Sequence, residues 1–156
     1  KRLDDQIVAI TKELATIANR SEIARRLMTI PGIGSLGATA ILGAAGDAKQ
    51  FGKARDFAAW LGLVPAQYST GGKTTLRGIS KRGNSSVRCL LIHGARSCLA
   101  HMNRSQNRLG GWLTSLEQRM HPNKVVVALA NKIARIVWVV LTKDGALYSP
   151  SGTSRG

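Results

Sequence analysis

Apolar positions recur along most of this chain at the three- and four-residue steps of an α-helix. In the opening segment Leu3, Ile7, Ile10, Leu14 and Ile17 form one narrow stripe, the pattern of a helix that zips to a partner helix. Fewer than three full heptads are present, so the stripe equally suits a helix packed on its own domain. A helical stretch through Leu27 is ended by Pro31, and Gly32 and Gly34 permit a tight reversal. Ser35 is placed to cap the next helix. Another helix is expected from Ala54 to Leu61, burying Phe57, Trp60 and Leu61. Asn84 caps a long helix reaching about Met102, with Val87, Leu90, Leu91, Ala95 and Leu99 on its core face. A shorter helix follows near Gly111 to Met120, and Pro122 opens a strongly apolar one that continues to about Lys143. The pattern predicts an all-α fold: a leading helix over residues 1–26, a helical domain over 27–143, and a flexible Gly- and Ser-rich tail over 144–156.

The periodicity lapses once, over residues 62–83. Pro65, several Ser and Thr, and Gly71, Gly72, Gly78 and Gly83 fall here, so the stretch reads as a long loop of the kind that is functional or disordered. Few apolar anchors and many like charges predict that it is mobile.

Charge alters this picture most. The 156 residues carry 23 Lys and Arg against 8 Asp and Glu, a formal charge of +15. Self-repulsion of that size is relieved by a polyanion, and nucleic acid is the partner expected. Between Phe57 and Leu116 there is no carboxylate, while Lys73, Arg77, Lys81, Arg82, Arg88, Arg96, Arg104 and Arg108 accumulate. A solvated surface mixes signs, so this single-sign stretch reads as a phosphate footprint. The apolar run near the end is interrupted by Lys132 and Arg135, which argues against a membrane span. Two cysteines in a helical pattern are no disulfide framework, and a cytoplasmic location is expected. The sequence opens at Lys1 with no initiator Met, as expected of a piece of a longer protein.

Two constellations carry candidate chemistry. Ile30-Pro31-Gly32-Ile33-Gly34 sits between helices, where glycines allow close approach and free amides at a helix start bind anions. It resembles a helix–hairpin–helix element gripping phosphate at Gly32 and Gly34, and it also fits a plain tight connection. Tyr68-Ser69-Thr70-Gly71-Gly72-Lys73, followed by Arg77-Gly78-Ile79-Ser80-Lys81-Arg82-Gly83-Asn84, sets hydroxyls beside glycines among cations. Phosphodiester attack needs an activated hydroxyl and cationic donors for the charge that builds on phosphorus. By chemistry alone, a loop that merely clamps phosphate explains the string at least as well. Cys89 with His93 and Cys98 with His101 have zinc-like spacings, but both pairs lie along one helix and close no tetrahedron. Buried small residues and surface imidazoles fit better. Trp60, Trp112 and Trp138 fall in apolar helical patterns, and Trp112 is the one suspected at an interface.

The ordered set Ile-Pro-Gly-Ile-Gly, Phe-Ala-Ala-Trp-Leu-Gly-Leu-Val-Pro, Tyr-Ser-Thr-Gly-Gly-Lys and Gly-Ile-Ser-Lys-Arg-Gly-Asn resembles the C-terminal transposase domain of the insertion-sequence one-ten family, to which Piv-type invertases belong. The resemblance runs from about Leu27 to Lys143. It implies a transposase or site-specific recombinase that cuts and rejoins DNA through a covalent serine–phosphate linkage, guided by an element-encoded RNA. By position Ser69 matches the nucleophile, with Thr70 and Ser80 as alternates. Lys73, Arg77, Lys81, Arg82, Arg88 and Arg96 become nucleic-acid contacts, and residues 62–83 a catalytic-type loop. The leading helix matches a coiled-coil connector, which implies a homodimer or homotetramer in a bacterial or archaeal cytoplasm, near the nucleoid and not in a membrane. The family's divalent-metal site belongs to an N-terminal nuclease-like domain absent from this sequence. No metal or other cofactor is therefore expected in this chain, and the chain alone is expected to bind rather than recombine. The alternative is a non-catalytic DNA- or RNA-binding helix–hairpin–helix module.

Overall fold

A computed structural model describes residues 1–70, 73–79 and 84–150, those of 65–70 and 73–79 as backbone alone. Among the described residues, seven helices and one strand pair occur: α1 (Arg2–Arg20), α2 (Glu22–Leu27), α3 (Ser35–Ala45), α4 (Ala54–Trp60), β1 (Pro65–Thr70), β2 (Lys73–Ile79), α5 (Ser85–His101), α6 (Gly110–Arg119) and α7 (Pro122–Thr142). The helical fold and the long leading helix are as the periodicity implied. The leading helix is not continuous over residues 1–26, however. Ser21 adopts an extended conformation and its hydroxyl accepts a bond from the Ala24 amide, so it ends α1 and caps α2.

Burial centres on α7. Val125, Val126, Leu129, Ala130, Ile133, Ala134, Val137, Val140 and Leu141 are all buried, and the helix packs on α2, α4, α5 and α6. It is long and apolar enough to cross a membrane, yet half of its apolar window is enclosed by the other helices. Each fully buried side chain of this size contributes about 1.5–3 kcal/mol. The aromatics close one side: Phe51, Phe57 and Trp60 stack at centroid distances of 5.2–5.9 Å, and the Trp138 indole donates to the Phe51 carbonyl at 3.2 Å. Trp60 and Trp138 thus belong to the core.

The connection between α2 and α3 is pressed onto α5. Gly32 has φ +85°, and a Cβ built there would meet the Gly94 carbonyl oxygen at 2.7 Å. The converse Cβ on Gly94 would overlap the Gly32 carbonyl. Two backbones touch because neither residue has a side chain. This packing by itself accounts for a glycine at position 32. Gly34, not Ser35, is the N-cap of α3. Ser35 is already helical, and its carbonyl accepts from the Thr39 hydroxyl.

Residues 65–70 and 73–79, expected as loop, pair instead as an antiparallel hairpin. Thr70 pairs with Lys73, Ser69 with Thr74, Tyr68 with Thr75 and Gln67 with Leu76. Two glycines join strands rich in Thr and Tyr, a hairpin signal that shows no apolar alternation for periodicity to detect. The register slips between Pro65 and Gln67, because β2 holds one residue more there, at Arg77–Gly78. Such a bulge bends and twists the ribbon.

Residues 144–150, expected to be frayed, fold back on the body. Tyr148 is buried, its hydroxyl donates to Asn107 Oδ1 at 2.7 Å, and its amide donates to the Thr29 hydroxyl at 3.0 Å. Arg26 closes α7, its Nη1 donating to the Val140, Lys143 and Ala146 carbonyls at 3.1–3.4 Å. A cation at that end also meets the negative pole of the helix.

The glycine crossing makes a prediction whose sign opposes helix propensity. Inside a helix Gly→Ala gains roughly 1 kcal/mol, and Gly43→Ala in α3, where the new methyl meets open space, should stabilise by about that much. Gly94→Ala should destabilise by about 2 kcal/mol or more, since the obstacle is backbone that must move, lowering Tm by roughly 4–8 °C. Thermal melts of the two variants followed by circular dichroism test this, and a stabilised Gly94→Ala would refute the crossing.

Candidate functional site

The hairpin leaves the body between α4 and α5, and its root is tied by side chains from two helices. After α4, the Gly62 amide donates to the Ala59 carbonyl and the Leu63 amide to the Ala58 carbonyl, so the chain turns sharply before β1. Gly62 has φ +75°, a conformation that costs other residues about 1–2 kcal/mol. Leu61 and Leu63 point into the core. Their carbonyls are taken by Arg88 Nη1 of α5 at 3.3 Å and by Asn131 Nδ2 of α7 at 3.2 Å. At the other root Asn84 caps α5, its Oδ1 accepting from the Val87 amide at 3.0 Å. These bonds tie down the root of a strand pair whose far end carries Ser69 and Thr70.

The sequence-predicted residues separate on this frame. Ser69, Thr70 and Lys73 come together on the hairpin backbone, Ser69 and Thr70 preceding the Gly71-Gly72 connection and Lys73 following it, while Arg77 lies toward the root, at the bulge opposite Pro65 and Gln67. Ser80, Lys81 and Arg82 lie outside the described residues. Arg88 departs from expectation: only 9% of it is exposed, and its bond to Leu61 makes it an internal tie rather than a surface contact. The cause is its place in the first turn of α5, where the helix faces the α4 exit. Arg96 is exposed, on the side of α5 that faces α6 and the start of α7. Gly34 has open space where a Cβ would sit, and Gly32 faces α5.

Asn131 and Leu63 were missed by sequence reasoning. A single Asn inside an otherwise apolar helix is the signal that could have found the first, since a part-buried amide requires a partner.

Among the described residues no three His, Cys, Asp or Glu side chains gather as a metal site. Cys89 is exposed and Cys98 buried. Burial pushes the Cys98 thiol above its ordinary pKa, with nearby Arg104 pulling the other way, so Cys98 packs as a small neutral side chain. Arg104 is itself engaged, pairing with Glu117 at 2.5 Å.

Residues 24–109 match the family described as Transposase IS116/IS110/IS902. The chain is 47% identical over 147 residues to a transposase for insertion sequence element IS1328 of Yersinia enterocolitica, covering 94% of this chain and 44% of that protein. It is 45% identical to a probable family 20 transposase of Pseudomonas aeruginosa, covering 95% of this chain and 44% of that one. With a transposase for insertion sequence element IS1111A of Coxiella burnetii it shares 44% identity over 90% of its own length and 39% of the relative's. The chain therefore spans less than half the length of these curated relatives.

Arg88→Ala should act as a stability mutation. It leaves the buried Leu61 carbonyl without this donor, at a cost of about 1–3 kcal/mol, or roughly 2–12 °C in Tm. The salt dependence of duplex-DNA binding, read by fluorescence anisotropy, should stay as in the wild type. An unchanged Tm with a shallower salt slope would make Arg88 a phosphate contact instead.

Proposed function

Because the chain belongs to the IS116/IS110/IS902 transposase family, we propose that it is the serine-bearing, DNA-handling part of a longer transposase that cuts and rejoins DNA. The observation that carries this reading is the hairpin, whose closed end brings the Ser69-Thr70 backbone opposite Thr74 and Lys73 above a root held by Arg88 and Asn131. Transfer between strands needs a nucleophile that keeps its position while DNA ends exchange, and a socketed two-stranded ribbon supplies that better than a free loop.

In this reading Ser69 Oγ gives up its proton to a base and bonds to a backbone phosphorus. The bond from that phosphorus to one neighbouring sugar oxygen breaks, and the oxygen takes up a proton. Rejoining is the reverse step with a different strand: its sugar hydroxyl attacks the serine phosphodiester and Ser69 is released. Lys73, Arg77, Lys81 and Arg82 offset the charge that develops on the phosphoryl oxygens. Divalent-metal chemistry would come from an acidic nuclease-like domain elsewhere in the longer protein, and an element-encoded RNA would choose the two DNA partners.

Joining two DNA segments calls for more than one copy of the chain, as a dimer or tetramer. The stripe on α1 suits that task, since Leu3, Ile7, Ile10 and Ile17 are each at least half exposed and follow helical seam spacing. Sedimentation equilibrium should find a self-associating chain, and Ile7→Asp with Ile10→Asp should render it monomeric. Wild-type chain that stays monomeric at 100 μM would remove α1 as the seam.

The nucleophile is tested in the full-length transposase, with its RNA and Mg²⁺, on a DNA substrate whose scissile phosphate carries a sulfur leaving group. A protein–DNA adduct should appear on a denaturing gel. Ser69→Ala should lower it by on the order of 10³-fold or more, whereas Thr70→Ala and Ser80→Ala retain it. An adduct that persists in Ser69→Ala refutes the assignment, and DNA binding without any adduct would make the domain a clamp.

A further inference from the structure

A groove lies where residues 146–149 fold back against α7, with a volume of about 360 Å³. Three cations line it: Arg108 from the α5–α6 connection, and Lys132 and Arg135 from α7. No carboxylate does, among the described residues. The ion pairs found among the described residues are Lys1 with Asp4, Arg26 with Glu22 and Arg104 with Glu117, so none of the three groove cations is neutralised in this way.

Two of them rest instead on aromatic rings. The Arg108 guanidinium lies 4.6 Å from the centroid of Tyr148, a ring fixed from behind by its hydroxyl bond to Asn107. The Lys132 ammonium stands 6.0 Å from the centroid of Trp112. A ring face orients a cation and limits its conformers, but it leaves the positive charge and the N–H groups available. A carboxylate would consume both. Arg135 follows Lys132 by three residues on α7, so both belong to one helix face, and Arg135 is exposed. Long cations gathered in a concave, carboxylate-free wall raise the local potential and attract anions. Arg108 is also positioned through the backbone, its amide donating to the Pro150 carbonyl at 2.8 Å. The tail thus builds one wall of the groove and sets the Arg108 side chain over it.

We propose that Arg108, Lys132 and Arg135 form a binding site for a nucleic-acid phosphodiester backbone, distinct from the hairpin carrying Ser69. The proposal rests on reading the chain as a DNA-handling domain, but not on the serine assignment. A chain that exchanges strands must hold backbone away from the reacting phosphate as well as at it, and this groove supplies such a grip without reading bases. The phosphates are those of duplex DNA or of a folded RNA, since both present the same anion to the same donors.

The test uses the 156-residue chain and two fluorescent probes, a 20-base-pair DNA duplex and a 40-nucleotide RNA hairpin, titrated by anisotropy at several KCl concentrations. Neutralising the groove with Arg108→Gln, Lys132→Gln and Arg135→Gln should weaken binding of at least one probe by about 10-fold or more, and flatten the log–log salt slope by about 2. A control of equal charge, Arg2→Gln, Lys12→Gln and Arg20→Gln on α1, should cost clearly less. Loss on one probe alone supports the site and identifies its source of phosphate. Equal loss in groove and control variants would reduce the effect to net charge and overturn the site, as would no loss on either probe. Should the triple variant fold poorly by circular dichroism, two others decide. Arg135→Gln alone, on an exposed side chain, should still flatten the slope, and Arg108→Lys with Arg135→Lys should keep it. Failure of this binding test alongside an intact Ser69 adduct would reject the groove and leave the serine reading standing.

Discussion

The burial of α7 is the interaction on which the rest of this structure depends. Its apolar positions face four other helices at once, and several of its polar residues reach a neighbour or the groove. Asn131 donates to the hairpin root, Trp138 holds the Phe51 carbonyl, and Lys132 and Arg135 face the groove. The C-terminal carbonyls of the helix are gathered by Arg26 from the opposite end of the chain. With its apolar faces packed, α7 has little freedom to rotate, so whatever its polar residues touch is held in register with the core. The root of the hairpin and the cationic groove are both held by residues of this helix.

Net charge is a poor guide to which cations meet a ligand. Arg26, Arg88 and Arg104 are turned toward backbone carbonyls or a carboxylate, where five planar donors close helix ends and loop exits. In contrast, Arg108 and Lys132 are held over aromatic rings. Arg104 and Arg108 are the same residue type only four positions apart, yet they fall in different sets. What separates them is the direction each helix face takes after packing, and charge repulsion within a +15 chain is partly relieved by carbonyl partners before any polyanion arrives.

The glycine crossing and the hairpin root express one economy of space. Because Gly32 and Gly94 allow two backbones to touch, the α2–α3 turn lies against the middle of α5. The start of α5 is in turn committed to the α4 exit by Arg88. Displacing the chain at Leu61 and Leu63 would break bonds to their carbonyls, and an unsatisfied buried acceptor costs about 1–3 kcal/mol.

Much of this was legible from residue order. Apolar spacing located α4, α5, α6 and α7 nearly to their ends, Asn84 announced its own cap, and the ordered motifs carried the family likeness. These succeed because helix periodicity, capping and turn chemistry are local, set by residues three or four apart. The hairpin escaped notice because a two-stranded ribbon with polar residues on both strands has no burial rhythm, only pairing across a gap. The inward turn of Arg88, the packing of Gly32 against Gly94, the return of Tyr148 to the core and the meeting of Arg108 with Lys132 and Arg135 were decided by tertiary structure alone. Each depends on contacts between segments tens of residues apart, and which side chain finds a carbonyl, a ring or open water is settled only when those segments close on one another.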